Sequence, residues 1–119
     1  MNKTTTALAL GAAFALAAPV FCEAHAVTRS ECVEASQFIM NGAPSRDNGM
    51  SRDAYIGQLM GDLETIKAFP AQLRWFVQDD DDAALLLSAA KEVYDAPAPP
   101  EHHRQEFLSR CLGRPTTNS

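Results

Sequence analysis

The sequence predicts an all-α fold: a small four-helix domain, an orthogonal or irregular bundle, stapled by one disulfide between its first and last helices. Apolar residues recur at helical spacing in four segments of the chain. Capping residues and Pro or Gly stops separate these segments. Two cysteines, Cys32 and Cys111, fall in the first and the last of them. No strand pair is expected.

Residues 1–26 are typical of a secretory signal peptide. Lys3 precedes an apolar run from Ala7 to Phe21, and Ala24-His25-Ala26 has the small-x-small pattern of a cleavage site. The run is 15 residues long, whereas a membrane-spanning helix needs about 20. We therefore expect cleavage near Ala26, a periplasmic location and no stable membrane insertion afterwards.

Composition bounds the remaining chain. Once residues 1–26 are removed, 93 residues remain, with 9 basic and 14 acidic side chains. This length fits one domain. The net negative charge argues against a nucleic-acid partner, because phosphate binding requires clustered cations. The expected organisation is a helical domain over 27–114 followed by a flexible tail, 115–119.

Cys32 and Cys111 remain after removal of the signal peptide, and an even pair in an exported chain predicts a disulfide. Cys22 would leave with the signal peptide, since Pro19 and Phe21 are poor lipobox residues. A bond that closes a loop of about 80 residues is expected to stabilise the fold by about 4–5 kcal/mol.

The first two helices have recognisable starts. The segment Thr28–Glu31 has a capping-box pattern and opens the first helix, which the glycine and proline of residues 41–44 should break or kink. Ser51 caps the second helix. Its apolar arc comprises Tyr55, Ile56, Leu59, Met60, Leu63 and Ile66.

The segment after Pro70 is ambiguous. A short helix, which we favour, would place Leu73, Phe76 and Val77 on one face with Phe69 and leave Trp75 off that face. An extended segment would instead align Leu73, Trp75 and Val77. A third helix is expected after Asp79–Asp82 and to about Asp95, and a fourth from Pro100 to Gly113.

No catalytic, cofactor-binding or metal-binding set is predicted. The run Asp79–Asp82 lacks the Gly and Glu that an EF-hand requires, and acids at a helix start are explained by capping. His102 and His103 are adjacent and point in different directions on a helix, so we expect them in a solvated first turn. Redox, haem, hydrolase and zincin motifs are absent. The chain is therefore expected not to be an enzyme.

Arg74-Trp75-Phe76 combines residue types that are enriched in binding hot spots. Arg74 and Trp75 are accordingly the candidate partner-binding residues. The alternative is that Trp75 covers the edge of the core, as a single Trp in a small domain usually does.

The chain resembles a family of small exported proteobacterial helical proteins with two cysteines. Cys32 with Ala35, Arg46-Asp47-Asn48-Gly49 and Val93-Tyr94 carry the resemblance, together with Phe107-Leu108 and Cys111. It spans most of the chain after residue 26, and implies a helical periplasmic domain without assigning an activity. The segment 42–44 departs from the continuous first helix expected there, so the end of that helix is left open.

Three functions remain open from the sequence. The leading hypothesis is a periplasmic module that binds another protein, in the manner of an inhibitor or immunity protein. The second is an acid- or envelope-stress chaperone, since protonating the carboxylates would leave a strongly cationic domain. The third is a small-ligand or metal carrier with a pocket softened by Met40 and Met60.

Overall fold

The computed structural model of this protein describes residues 27–117. The predicted signal peptide, including Cys22, lies outside the described residues, as do the last two residues of the tail. Within 27–117, no helix is long and apolar enough to cross a membrane.

The described chain is mostly helical. It has four longer helices and one short helix, which lies between the first two of them. Two strands of two residues each pair the beginning of the described chain with its end. In chain order the elements are β1 (Val27–Thr28), α1 (Arg29–Met40), α2 (Gly42–Asp47), α3 (Arg52–Ile66), α4 (Asp80–Asp95), α5 (Pro100–Leu112) and β2 (Thr116–Thr117).

The helix starts follow the capping rules. The Thr28 hydroxyl accepts from the backbone N–H of Glu31 at 3.0 Å, and the Glu31 carboxylate accepts from the Thr28 N–H at 2.9 Å, which completes the capping box. Ser51 accepts from the backbone of Ala54 at the start of α3. Pro100 occupies the first turn of α5, where its missing N–H costs nothing.

The first helix stops where Gly and Pro were expected to break it. α1 ends at Met40, and after Asn41 the chain continues as α2, a separate helix of six residues. The segment 42–44 is therefore part of a distinct short helix, which settles the question of where the first helix ends. A second stop follows at Gly49, whose φ of 98° is readily adopted only by a residue without Cβ.

The core lies between the longer helices and includes the disulfide. Cys32 on α1 and Cys111 on α5 are bonded, with their Cα atoms 5.7 Å apart, and both are completely buried. The apolar residues packed around them come from every longer helix and from the segment between α3 and α4: Ala35, Ile39, Ile56, Leu59, Leu63, Phe76, Leu86, Ala89, Ala90, Val93 and Phe107. The predicted bundle and its bridge between first and last helices are confirmed.

The two ends of the described chain meet in a short parallel ladder, with Val27 opposite Thr116 and Thr28 opposite Thr117. The sequence predicted neither strand, because two residues carry no detectable alternation. The segment predicted as a flexible tail, 115–119, thus includes two residues, Thr116 and Thr117, whose backbone pairs with β1.

The segment between α3 and α4 differs most from expectation. It forms one 3-10 turn, Ala71–Leu73, instead of the short helix that we favoured. Phe76 and Val77 are buried, but Phe69 and Leu73 face solvent. The shared apolar face predicted for these four residues is therefore wrong, because the backbone reverses direction at Trp75.

Candidate functional site

Arg74 organises the connector between α3 and α4, which we call the 67–79 loop. Its guanidinium donates to the carbonyl oxygens of Phe69 at 2.7 Å, Lys67 at 3.1 Å and Gln78 at 3.4 Å. Lys67 caps the end of α3, where carbonyl groups lack helical partners and the helix dipole favours a cation. Arg74 therefore holds the loop in shape, and its donors are turned inward toward this backbone.

Trp75 is the point at which the loop reverses. Its φ is 56°, in the left-handed region that bulky residues rarely adopt. Such a conformation costs about 1–3 kcal/mol and persists only when surrounding contacts impose it. The indole ring meets Phe38 and Phe76 edge-on, each with a centroid distance of 6.0 Å.

These contacts make Trp75 a half-buried residue at the edge of the core. The amide of Gln78 also donates to the Trp75 carbonyl at 2.9 Å, which closes the reversal. Trp75 thus covers the edge of the core, which was the alternative to its being an exposed residue that contacts a partner.

The loop instead exposes two apolar side chains that sequence reasoning assigned to the core. Leu73 is 65% exposed and Phe69 is 45% exposed. A sequence signal was available, since Pro70 interrupts the helical spacing between Phe69 and Leu73. Only the structure of the loop, however, shows that both side chains are exposed to solvent.

A cleft of about 280 Å³ lies directly beneath this loop, between the end of α3 and the start of α4. We call it the α3–α4 cleft. Its apolar lining comes from Leu63, Ile66, Val77 and Ala83; its polar lining comes from Lys67, Arg74, Gln78, Asp79 and Asp80.

The four aspartates at the start of α4 have distinct roles. Asp79 caps the helix by accepting from the backbone N–H of Asp82 at 2.9 Å, as capping predicts. Asp82 is only 1% exposed, and capping at the helix start did not predict this burial. Its carboxylate accepts from the Gln78 backbone at 3.0 Å and from Arg114 Nη2 at 2.7 Å.

Asp80 and Asp81 are exposed, and within residues 27–117 neither carboxylate has a hydrogen bond or an ion pair. They give the start of α4 two negative charges that form no ion pair within the described residues. Asp80 lines the α3–α4 cleft.

His103 and Arg46 form a second polar cluster, at the opposite end of α4. Arg46 Nη1 donates to the Val93 carbonyl at 2.7 Å and lies 3.4 Å from His103 Nε2, while Arg46 Nη2 donates to the Ala98 carbonyl at 3.1 Å. The guanidinium thus compensates carbonyl groups at the end of α4 and in the connector to α5.

His102 is exposed, as expected for a solvated turn, but His103 is buried. The expectation of a solvated pair is therefore wrong for His103, because α5 turns this residue toward Arg46. Burial lowers the pKa of His103 below its ordinary value, and the charge of Arg46 lowers it further.

A smaller cleft, of about 190 Å³, lies between α1, α2 and α3 and includes Phe38, Met50 and Tyr55 in its lining. The Tyr55 hydroxyl is buried and has no hydrogen-bond partner among the described residues. A Cβ on Gly42 would lie 2.5 Å from that hydroxyl oxygen, so the ring fits only against a glycine.

Met60 does not line this cleft or the α3–α4 cleft; it is 52% exposed on α3. Its predicted place on the apolar arc is wrong, and so is the pairing of Met40 with Met60 around one pocket. Gly57 and Gly61 have open space beside them, so no backbone from residues 27–117 approaches α3 closely at these positions.

No group of three or more His, Cys, Asp or Glu side chains within residues 27–117 is arranged to hold a metal ion. Comparison of the chain with family models, with curated proteins and with solved structures finds no match.

Proposed function

We propose that this protein is a periplasmic protein-binding module, of the inhibitor or immunity type, without catalytic activity. One observation carries the proposal: the 67–79 loop displays Leu73 and Phe69 to solvent while Arg74 fixes its backbone. Exposed apolar side chains on a fixed backbone suit protein binding, because little conformational freedom is lost when a partner docks.

Export is supported by the signal-like residues 1–26 and by the disulfide. A disulfide between Cys32 and Cys111 is consistent with an oxidising compartment. A binding role is favoured over catalysis because the three polar residues that are buried within the described chain, Ser36, Asp82 and His103, have structural partners. Ser36 donates to the Val33 carbonyl, Asp82 pairs with Arg114, and His103 faces Arg46.

Arg74 and Trp75 keep a part in this proposal, but a positioning one. Arg74 donates to carbonyls of the loop, and Trp75 anchors the reversal against Phe38. We propose that they present Phe69 and Leu73, which make the contact themselves. Trp75→Ala would therefore remove core contacts and binding together, and would be a poor test of the interface.

The test is a crosslinking pull-down of the tagged, disulfide-bonded protein from the periplasm of its own host, read by mass spectrometry. Leu73→Ser and Phe69→Ser are the test variants. Met60→Ser is the matched control, because Met60 is a similarly exposed apolar residue on another surface. All three substitutions leave the buried core intact.

We expect one dominant partner that is retained by Met60→Ser and lost with Leu73→Ser. If wild-type protein captures no specific partner, the proposed function is wrong. If the partner survives both loop substitutions, the 67–79 loop is not the contact surface.

A stress-chaperone role is the second candidate, and His103 is the observation that favours it. A buried imidazole beside Arg46 resists protonation, so strong acid would place two cations together inside the fold. Suppression of client aggregation at about pH 3 would support this role. Absence of suppression under conditions where the domain has opened would end it.

A further inference from the structure

We propose that the α3–α4 cleft receives a chain segment of the partner in which apolar residues alternate with Lys or Arg. This inference rests on the proposed protein-binding function and specifies the chemistry of the partner.

The shape and floor of the cleft suit an apolar side chain. Leu63 and Val77 are buried at its base, while Ile66 and Ala83 are partly exposed along its sides. A volume of about 280 Å³ is near the lower limit of small-molecule sites, and it is sufficient for one or two aliphatic side chains. Lys67, Arg74 and Val77 of the 67–79 loop line the cleft, and the exposed Phe69 and Leu73 belong to the same loop.

The cations that line the cleft are already neutralised or engaged. Lys67 Nζ lies 3.2 Å from the Glu64 carboxylate, and the Arg74 guanidinium donates to three loop carbonyls. Both cations are therefore engaged by groups of this protein, Lys67 in an exposed ion pair and Arg74 by backbone carbonyls. By contrast, Asp80 on the rim and its neighbour Asp81 have no cation within the described chain.

The same imbalance holds over the rest of residues 27–117. Most basic side chains form ion pairs inside the protein: Arg46, Arg52, Lys67, Arg104, Arg110 and Arg114. Acidic residues outnumber basic ones, so the unpaired surplus is carboxylate. Of the two adjacent unpaired carboxylates at the start of α4, Asp80 lines the α3–α4 cleft and Asp81 is its neighbour in the chain.

Charge complementarity therefore selects the occupant. A cationic side chain placed beside Asp80 and Asp81 gains attraction from two carboxylates that form no ion pair within the described residues. An acidic segment would be repelled. An uncharged apolar segment would fill the floor but leave the carboxylates unpaired.

The test uses three fluorescein-labelled pentapeptide probes and fluorescence anisotropy at low ionic strength. The first probe is Lys-Leu-Lys-Val-Lys, the second Lys-Ser-Lys-Ser-Lys, and the third Glu-Leu-Glu-Val-Glu. The protein is the disulfide-bonded domain, compared with Asp80→Asn/Asp81→Asn. The control variant Asp53→Asn/Asp62→Asn removes the same charge from exposed, unpaired positions on α3.

We expect only the first probe to bind. Its Kd should rise about three- to tenfold in Asp80→Asn/Asp81→Asn, since two exposed ion pairs are lost, and should be nearly unchanged in the control. Equal weakening by both variants would mean non-specific attraction to an acidic protein. Binding by the acidic probe, or by none of the three, would also overturn the inference.

Repeating the pull-down with Asp80→Asn/Asp81→Asn separates this inference from the proposed function. Full retention of a partner that Leu73→Ser loses would leave the binding module in place and refute the basic segment. Reduced capture by both Leu73→Ser and Asp80→Asn/Asp81→Asn would support the proposed protein-binding function and the basic partner segment together.

Discussion

Reducing the bond between Cys32 and Cys111 should lower the free energy of unfolding by about 4.5 kcal/mol at 25 °C. The two residues are 79 apart in sequence, so the bond closes a loop of about 80 residues. The chain-entropy model gives about 15 cal/mol/K for a loop of that length. A domain of this size is typically stable by about 5–15 kcal/mol, so a large share of its stability depends on one covalent link.

The effect should act mainly through the unfolded chain. Both cysteines are completely buried among the side chains of α1 and α5, so the reduced thiols remain packed as small apolar groups. The folded state loses little, whereas the unfolded chain gains conformations. The denaturant dependence of unfolding, the m value, should accordingly increase on reduction, because the unlinked chain expands and exposes more surface.

The assay is urea unfolding of the oxidised and reduced protein, followed by circular dichroism. Cys32→Ala/Cys111→Ala with and without reductant controls for direct effects of the reductant. The same loss corresponds to a decrease in Tm of about 20–30 °C for a domain of this length. A difference below about 1 kcal/mol, with unchanged m value, would refute the reasoning and place the stability in the helix packing alone.

Three further predictions concern single side chains. Gly42→Ala should destabilise the fold by about 1–3 kcal/mol, because the new Cβ would clash with Tyr55. Tyr55→Phe should be neutral or slightly stabilising, because it removes a buried unpaired hydroxyl. The same substitution should partly restore the Tm of Gly42→Ala in thermal melts. Burial, and then the charge of Arg46, lower the folded-state pKa of His103. The contribution of this residue to the free energy of unfolding should therefore be full above about pH 6.5 and fall, by at most about 1.4 kcal/mol per pH unit, as the pH decreases toward the folded-state pKa. His103→Gln should reduce this pH dependence in urea titrations. Asp82→Ala should lower the free energy of unfolding by about 2–4 kcal/mol, since it leaves the partly buried guanidinium of Arg114 and the backbone N–H of Gln78 without their partner. An unchanged Tm would contradict a structural role for Asp82.

The bundle was predictable because its signals are local. The capping box at Thr28, the Ser51 cap and the Pro100 start each depend on residues within one turn. The disulfide was predictable because the chain after the signal peptide contains two cysteines, which allow only one pairing. Such signals do not depend on how the helices later pack.

The surface between α3 and α4 was not predictable in the same way. Its form depends on Arg74 reaching carbonyls up to seven residues away along the chain, and on Trp75 adopting a left-handed backbone. Neither is encoded by periodicity. The sequence singled out this segment, but it assigned partner contact to Arg74 and Trp75 and an apolar face to Leu73, which is exposed.

The buried polar pairs were missed for a related reason. Asp82 and Arg114 are 32 residues apart, and Arg46 and His103 are 57 apart. A single sequence gives no means of pairing charges over such separations. Each of these residues looks locally like an ordinary cap or a solvated charge.

The ladder between β1 and β2 has a consequence for engineering this scaffold. Because Val27 lies opposite Thr116 and Thr28 opposite Thr117, the folded chain enters and leaves at one point on its surface. A host protein could therefore receive the whole domain within a single surface loop through two short linkers. New ends opened in the Pro-rich stretch 96–99, with the old ones joined by a few residues, would give a circular permutant whose connector from α3 to α4 stays unbroken.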